Sequence, residues 1–207
     1  METQIKSILS FPSDYSEDVL KTLAENVMNK ICISNGKHTY HPIEIEFYIY
    51  DSKNHADIHV YPREAKVGDL FFHLSGMDIC FESSLEEKEG RIRFGGILIR
   101  ALEREDGKQF GGPLTCKNEV LNTASSEKCI AKIHTISPVR EVGEPTKRKG
   151  INQSKTLIDI DNYWNAPYRF FINSLHVGDT ITMETDSFDF RKCKVKPSQK
   201  RYYKIED

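Results

Sequence analysis

From Ser16 to Ile31 apolar residues recur at helical spacing: Val19, Leu20, Leu23, Val27 and Ile31 fall on one stripe, which predicts a helix packed over a sheet. Ser16 stands where an N-cap belongs, and Glu17 and Asp18 suit the positive end of a helix. Beyond it the period shortens to two. Ile43 to Tyr50, IEIEFYIY, alternates and is rich in β-branched and aromatic residues, so it predicts a strand with Glu44 and Glu46 on one face. Asp69 to Leu74, Ile79 to Ser83, Gly96 to Leu102, Tyr168 to Asn173 and Thr180 to Glu184 are further predicted strands. Residues 141–155, EVGEPTKRKGINQSK, are polar, basic and punctuated by Gly and Pro, which predicts a mobile loop. The chain shows no internal repeat. Strands broken by long loops, with one or two helices, imply an α+β fold on a mostly antiparallel, curved sheet with a few peripheral helices.

Composition narrows the class. The 207 residues, 38% hydrophobic and 29% charged, suffice for one core, so residues 1–207 are expected to form a single domain. Twelve Gly and eight Pro exclude collagen-like and generally disordered chains. No apolar run approaches the roughly 18 residues of a membrane span, and the start, Met1-Glu2-Thr3-Gln4, lacks the basic flank and apolar stretch of a secretory signal. The expectation is a cytoplasmic monomer without a membrane partner. Five cysteines, Cys32, Cys80, Cys116, Cys129 and Cys193, are odd in number and lack any C-x-x-C pair, which suits reduced thiols.

Charge is uneven although the net value is only -2. Residues 1–139 hold 16 Lys and Arg against 21 Asp and Glu, whereas 140–207 hold 13 against 10. Lys192, Lys194 and Lys196 lie in an acid-free stretch, Arg191 to Lys204, with Tyr202 and Tyr203 interleaved. Together with Lys147, Arg148 and Lys149 of the predicted loop, they read as contacts for nucleic-acid phosphates. The late lysines also fit the wet face of an edge strand, where lysine discourages aggregation.

Glu46 is the first candidate for chemistry, because a carboxylate between Ile45 and Phe47 loses water and becomes a better base. Pattern alone equally allows Glu44 and Glu46 to be the solvated face of an amphipathic strand. His38, His41, His55 and His59 cluster in sequence with Asp51 and Asp57, but a loop-and-strand segment does not focus them as a helical H-x-x-x-H would. No metal site is expected.

Wider context sharpens the picture. IEIEFY at 43–48, then Asp51 and His55-Ala56, GDLFFHLSGMDICF at 68–81, GILIRALE at 96–103 and Gly107 together resemble the alkyladenine, or 3-methyladenine, DNA glycosylase family. Gly112-Pro113-Leu114 with Cys116, and PYRFFI at 167–172, echo it more weakly. The resemblance covers most of residues 43–122 and a short piece near 167–173. It implies the fold of that family and a cofactor-independent hydrolysis of the N-glycosidic bond of alkylated or otherwise modified purines in base-excision repair. By the same resemblance Glu46 is the general base, Arg100 organises the catalytic water and nearby phosphate, and Tyr48 stacks on one side of the extruded base. Phe72 and His55 would lie on the other side, and the carbonyl of Ile172 would hold the water.

Two positions depart from the family. Ser75 replaces the tyrosine that wedges into the duplex, and Glu82 replaces an asparagine near the purine's minor-groove edge. Extruding a base costs a few kcal/mol, and a serine cannot plug the gap. The implied partner is therefore damaged DNA, duplex or single-stranded, or a free modified purine nucleoside. The alternative is a nucleobase- or nucleotide-binding module on the same fold without catalysis.

Overall fold

The computed structural model describes residues 2–182 apart from 89, 126–128, 152, 157, 174–175 and 178–180. Lys192, Lys194 and Lys196 lie outside the described residues, as does part of the strand expected at 180–184. In chain order the elements are α1 (Glu2–Ile8), α2 (Glu17–Lys30), β1 (Ile31–Ser34), β2 (Thr39–Asp51), β3 (His55–Ala56), β4 (Leu70–His73), β5 (Gly76–Cys80), β6 (Ser84–Lys88), β7 (Arg91–Arg104) and β8 (Gln109–Gly111). They continue with α3 (Pro113–Asn122), β9 (Ile130–Ile133), α4 (Gln153–Thr156), a 3-10 turn at Tyr163–Asn165, β10 (Arg169–Phe171), β11 (His176–Val177) and β12 (Ile181–Thr182).

The main path of the sheet runs β4-β5-β7-β2-β1-β9 and every pairing is antiparallel. β3 and β10 also pair with β2, and β6 and β8 with β7, so the sheet curls around its two long central strands. This is the α+β class that the alternating periods predict. Helix α2 buries Leu20, Leu23, Ala24, Val27 and Met28 and packs on β1 and β2. Ser16 occupies the N-cap position, but its hydroxyl donates to Asp14 rather than accepting from the first turn. α3 follows a positive-φ Gly112 with Pro113 in its first turn, an N-terminal signature in the sequence that the apolar spacing did not expose.

Parity on β2 separates core from site. Ile43, Ile45, Phe47 and Ile49 are fully buried and meet Ile97, Ile99, Met77, Ile79 and Phe170 in one core. Glu44, Glu46 and Tyr48 alternate onto the opposite face. Register shifts between Pro42 and Ile45 leave Arg100 as an extra residue between Ala101, paired with Glu44, and Ile99, paired with Ile45. Such irregularities re-aim side chains, and this one delivers the Arg100 guanidinium to both glutamates.

Gly95 is required where β7 crosses β2, because an added Cβ would sit 2.3 Å from the Tyr48 carbonyl oxygen and 3.1 Å from the Ile49 Cα. Backbone cannot swing aside as a flexible side chain can. Gly95→Ala should therefore lower unfolding free energy by about 1–3 kcal/mol, read as an earlier urea midpoint. A midpoint equal to wild type would show that the two strands separate freely at this crossing.

The segment read as a mobile loop is tied to the sheet. Val142 bridges Ile172, Thr146 bridges Arg169, and the Gly143 amide donates to the Phe171 carbonyl, so residues 142–146 run along the outer side of β10. Turn-forming residues set its local shape, but free edge groups on β10 supply partners that composition does not reveal. Among the described residues no helix is long and apolar enough to cross a membrane.

Candidate functional site

On the face opposite the core, two buried carboxylates share one arginine. Arg100 donates from Nε to Glu44 Oε1 at 2.9 Å, and its Nη1 lies 3.2 Å from Glu46 Oε1. Glu44 also accepts from Arg169 Nε at 2.6 Å. Glu46 accepts the Lys149 amide at 2.7 Å on Oε1 and the Tyr48 hydroxyl at 3.1 Å on Oε2. Its exposure is zero, and this decides its chemistry. Burial pushes the Glu46 carboxyl above its usual value near 4.5, while Arg100 and the Lys149 amide pull against the rise without cancelling it. Burial, then the Glu46 carboxylate, drive the Tyr48 hydroxyl well above its usual range. Burial also works against charge on Arg100, but Glu46 and Glu44 outweigh it and leave the guanidinium harder to deprotonate than usual.

Beside this cluster lies a slot between two tyrosines, filled by Arg148. Its guanidinium carbon is 4.6 Å from the Tyr48 ring centroid and 5.5 Å from that of Tyr168. Nη1 donates to Asp57 Oδ2 at 2.6 Å and to the Phe47 carbonyl at 3.3 Å, and Nη2 donates to the Tyr163 carbonyl at 2.8 Å. Arg148 Nε is buried without a hydrogen-bond partner. A flat cation thus sits against electron-rich rings with acceptors around its edge.

This overturns the reading of Arg148 as a phosphate contact. Both it and Asp57 are buried, because an unpaired carboxylate in the interior demands a cation and the 142–150 segment delivers one. Lys149 is half-buried and gives its amide to Glu46, so Lys147 is the exposed member of the basic triplet, 6.0 Å from the Trp164 ring.

Phe72 does not face Tyr48. Cross-strand pairing carries Tyr48 to Gly96, Gly96 to Cys80, and Met77 to Phe72, so Phe72 alternates onto the face shared with Met77 and Ile79. Phe71 and His73 are the β4 residues on the Glu46 face. Ile172 is likewise misplaced: β10 sets Arg169 opposite Glu46, while the Ile172 amide reaches the Ile43 carbonyl, three residues up the strand and about 10 Å away. His55 stands behind the slot rather than in it. Its Nδ1 meets the Ile49 carbonyl at 2.9 Å and its Nε2 meets the Tyr168 hydroxyl at 2.7 Å, with Tyr15 and Tyr163 rings within 4.5 Å. Burial depresses the His55 pKa, so the ring is a neutral brace for Tyr168. Glu82 is exposed just past β5, and Ser75 is exposed on the β4–β5 turn.

Sequence reasoning assigned no role at this site to Tyr163, Tyr168 or Arg169, and noted Asp57 only beside the clustered histidines. Of these, Arg169 carried a signal, since a charged residue inside an apolar strand, YRFFI, needs a buried partner. The remaining clustered histidines part company: His38 meets Glu105, His41 meets His134 and His59 meets Asp159. No family model, curated protein or solved structure matches this chain.

Proposed function

We propose that the chain hydrolyses the N-glycosidic bond of alkylated or otherwise modified purines in DNA, with Glu46 as the base that activates water. The observation that carries this reading is the flat cation held between Tyr48 and Tyr168 next to a buried carboxylate. An alkylated purine shares with a guanidinium its planarity, its positive charge and its N–H donors, so the same rings and acceptors suit both. Base-to-aromatic stacking is worth roughly 1–3 kcal/mol per base, and a cationic base is a ready leaving group. Arg148 is then the competitor that must leave before a base enters.

Oligonucleotides carrying an alkylated purine, ethenoadenine or hypoxanthine, single-stranded and duplex, test the reading through alkali-labile abasic sites. Single strands should be the better substrate, because Ser75 supplies no wedge for a duplex. The absence of abasic sites with every lesion, at high concentration of folded protein, would reject it.

A second reading, a nucleobase-binding module without catalysis, is favoured by the complete burial of Glu46 against Arg100. Calorimetry separates the two. Arg148→Ala combined with Asp57→Asn removes both members of a buried pair, which is far milder than removing one, and empties the slot. The double variant should bind a free N-alkylated purine at least about tenfold more tightly than wild type, since occupancy by Arg148 no longer taxes the affinity. Tighter binding without abasic-site formation selects the second reading, and unchanged binding rejects the slot.

A further inference from the structure

On the turn joining β4 and β5, apart from the Glu46 cluster, three side chains form a hydrogen-bonded chain that the proposed function does not use. Ser75 Oγ is 3.1 Å from His73 Nδ1, and His73 Nε2 is 3.2 Å from Asp78 Oδ1. We propose that Ser75, His73 and Asp78 act as nucleophile, base and orienting carboxylate in the hydrolysis of small activated esters.

The roles follow from what each atom can donate. Asp78 accepts Arg63 Nη1 on Oδ2 and is buried, so its second oxygen is an acceptor fixed in place. A carboxylate acceptor at Nε2 requires the proton of the His73 ring to be on Nε2. That leaves the Nδ1 lone pair facing the Ser75 hydroxyl, the one tautomer in which the ring can take the serine proton. The order of the two nitrogens is reversed relative to the familiar serine-hydrolase arrangement, but imidazole relays a proton in either direction, and the constellation is recognised by geometry rather than position.

Around the relay the turn is braced. Lys117 Nζ donates to the His73 carbonyl at 2.7 Å and to the Leu74 carbonyl at 2.9 Å. His73 is flanked by the Tyr61 ring at 5.6 Å and the Phe71 ring at 5.8 Å, and Arg63 lies 4.4 Å over Phe71. His73 and Gly76 are the last ladder pair, so the Leu74 and Ser75 amides lie beyond the ladder. In the proposed reaction these two amides would serve as the donors to the developing oxyanion. Tyr61 at 52% and Leu74 at 70% exposure offer an open apolar rim suited to a short acyl or aryl group rather than an enclosed chain.

In the first step the Ser75 Oγ–carbon bond forms as its proton passes to His73 Nδ1, and the ester C–O bond breaks as that proton goes to the departing alcohol or phenol. Water then attacks the acyl-serine, gives a proton to His73, and releases the acid as the proton returns to Ser75.

The probe is p-nitrophenyl butyrate with the full chain. Expected are a burst of p-nitrophenol followed by slow turnover, and a butyryl adduct that peptide mapping places on Ser75. Ser75→Ala, at an exposed turn position, should abolish both, and His73→Gln should slow acylation by about 10²-fold or more. Equal hydrolysis by wild type and Ser75→Ala, an adduct on a lysine or another residue, or no hydrolysis above buffer would each overturn the assignment.

Discussion

Glu46→Gln is expected to lower single-turnover release of a modified purine by about 10²–10⁴-fold, the span that general-base assistance supplies. Glutamine keeps the acceptor for the Lys149 amide but cannot take a proton from water. Two pH profiles make the assignment stringent. The base works only when ionised, and burial raises its pKa, so wild-type rate should fall tenfold per unit on the acid side with a midpoint above 4.5. Stability should run the other way. A group whose pKa is higher folded than unfolded contributes stability that is present below its unfolded value and lost as pH rises through its folded value. Wild type should therefore lose stability relative to Glu46→Gln across the same interval in which it gains activity. Profiles with separate midpoints, or a rate unchanged in Glu46→Gln, would exclude Glu46 as the base.

Glu44→Ala should destabilise the fold by about 3–5 kcal/mol, the usual consequence of removing one partner from a buried ion cluster. Glu44 is the carboxylate that accepts Arg169 Nε, and the Arg169 side chain is only 3% exposed. Truncation leaves that guanidinium with the Thr146 hydroxyl and no anion. Combining Glu44→Ala with Arg169→Met should recover much of the loss, because both charges then leave the interior together. Urea unfolding of the four proteins measures it as a coupling energy. Additive losses would mean that the two side chains do not depend on one another. The contrast with Glu46, two residues away on the same face, divides the cluster into a carboxylate that holds β10 to β2 and one with an aromatic hydroxyl beside it.

Much of the fold was legible in the chain. Helical spacing from Ser16 to Ile31 corresponds to α2 at Glu17–Lys30, and the alternation at 43–50 lies within β2. That alternation also assigned Glu44 and Glu46 to one face, because parity along a strand is a local property of the backbone. The strand expected at Ile79 to Ser83 instead runs from Gly76 to Cys80, since the tight β4–β5 turn begins the pairing earlier than the apolar run suggests.

What sequence determined is therefore the class of the sheet and the side on which its carboxylates emerge, both written in residues a few positions apart. Tertiary structure alone decided which neighbours complete the site. Leu70, Phe71 and Phe72 are an unbroken apolar run that does not choose between the two phenylalanines, and pairing with β5 makes the choice. The run Lys147-Arg148-Lys149 reads as solvated charge, yet Arg148 is drawn inside by Asp57, 91 residues away in the chain. Periodicity records the direction of a side chain relative to its own strand. Which charge it will meet there depends on segments brought together only when the core closes, and burial then makes that meeting obligatory.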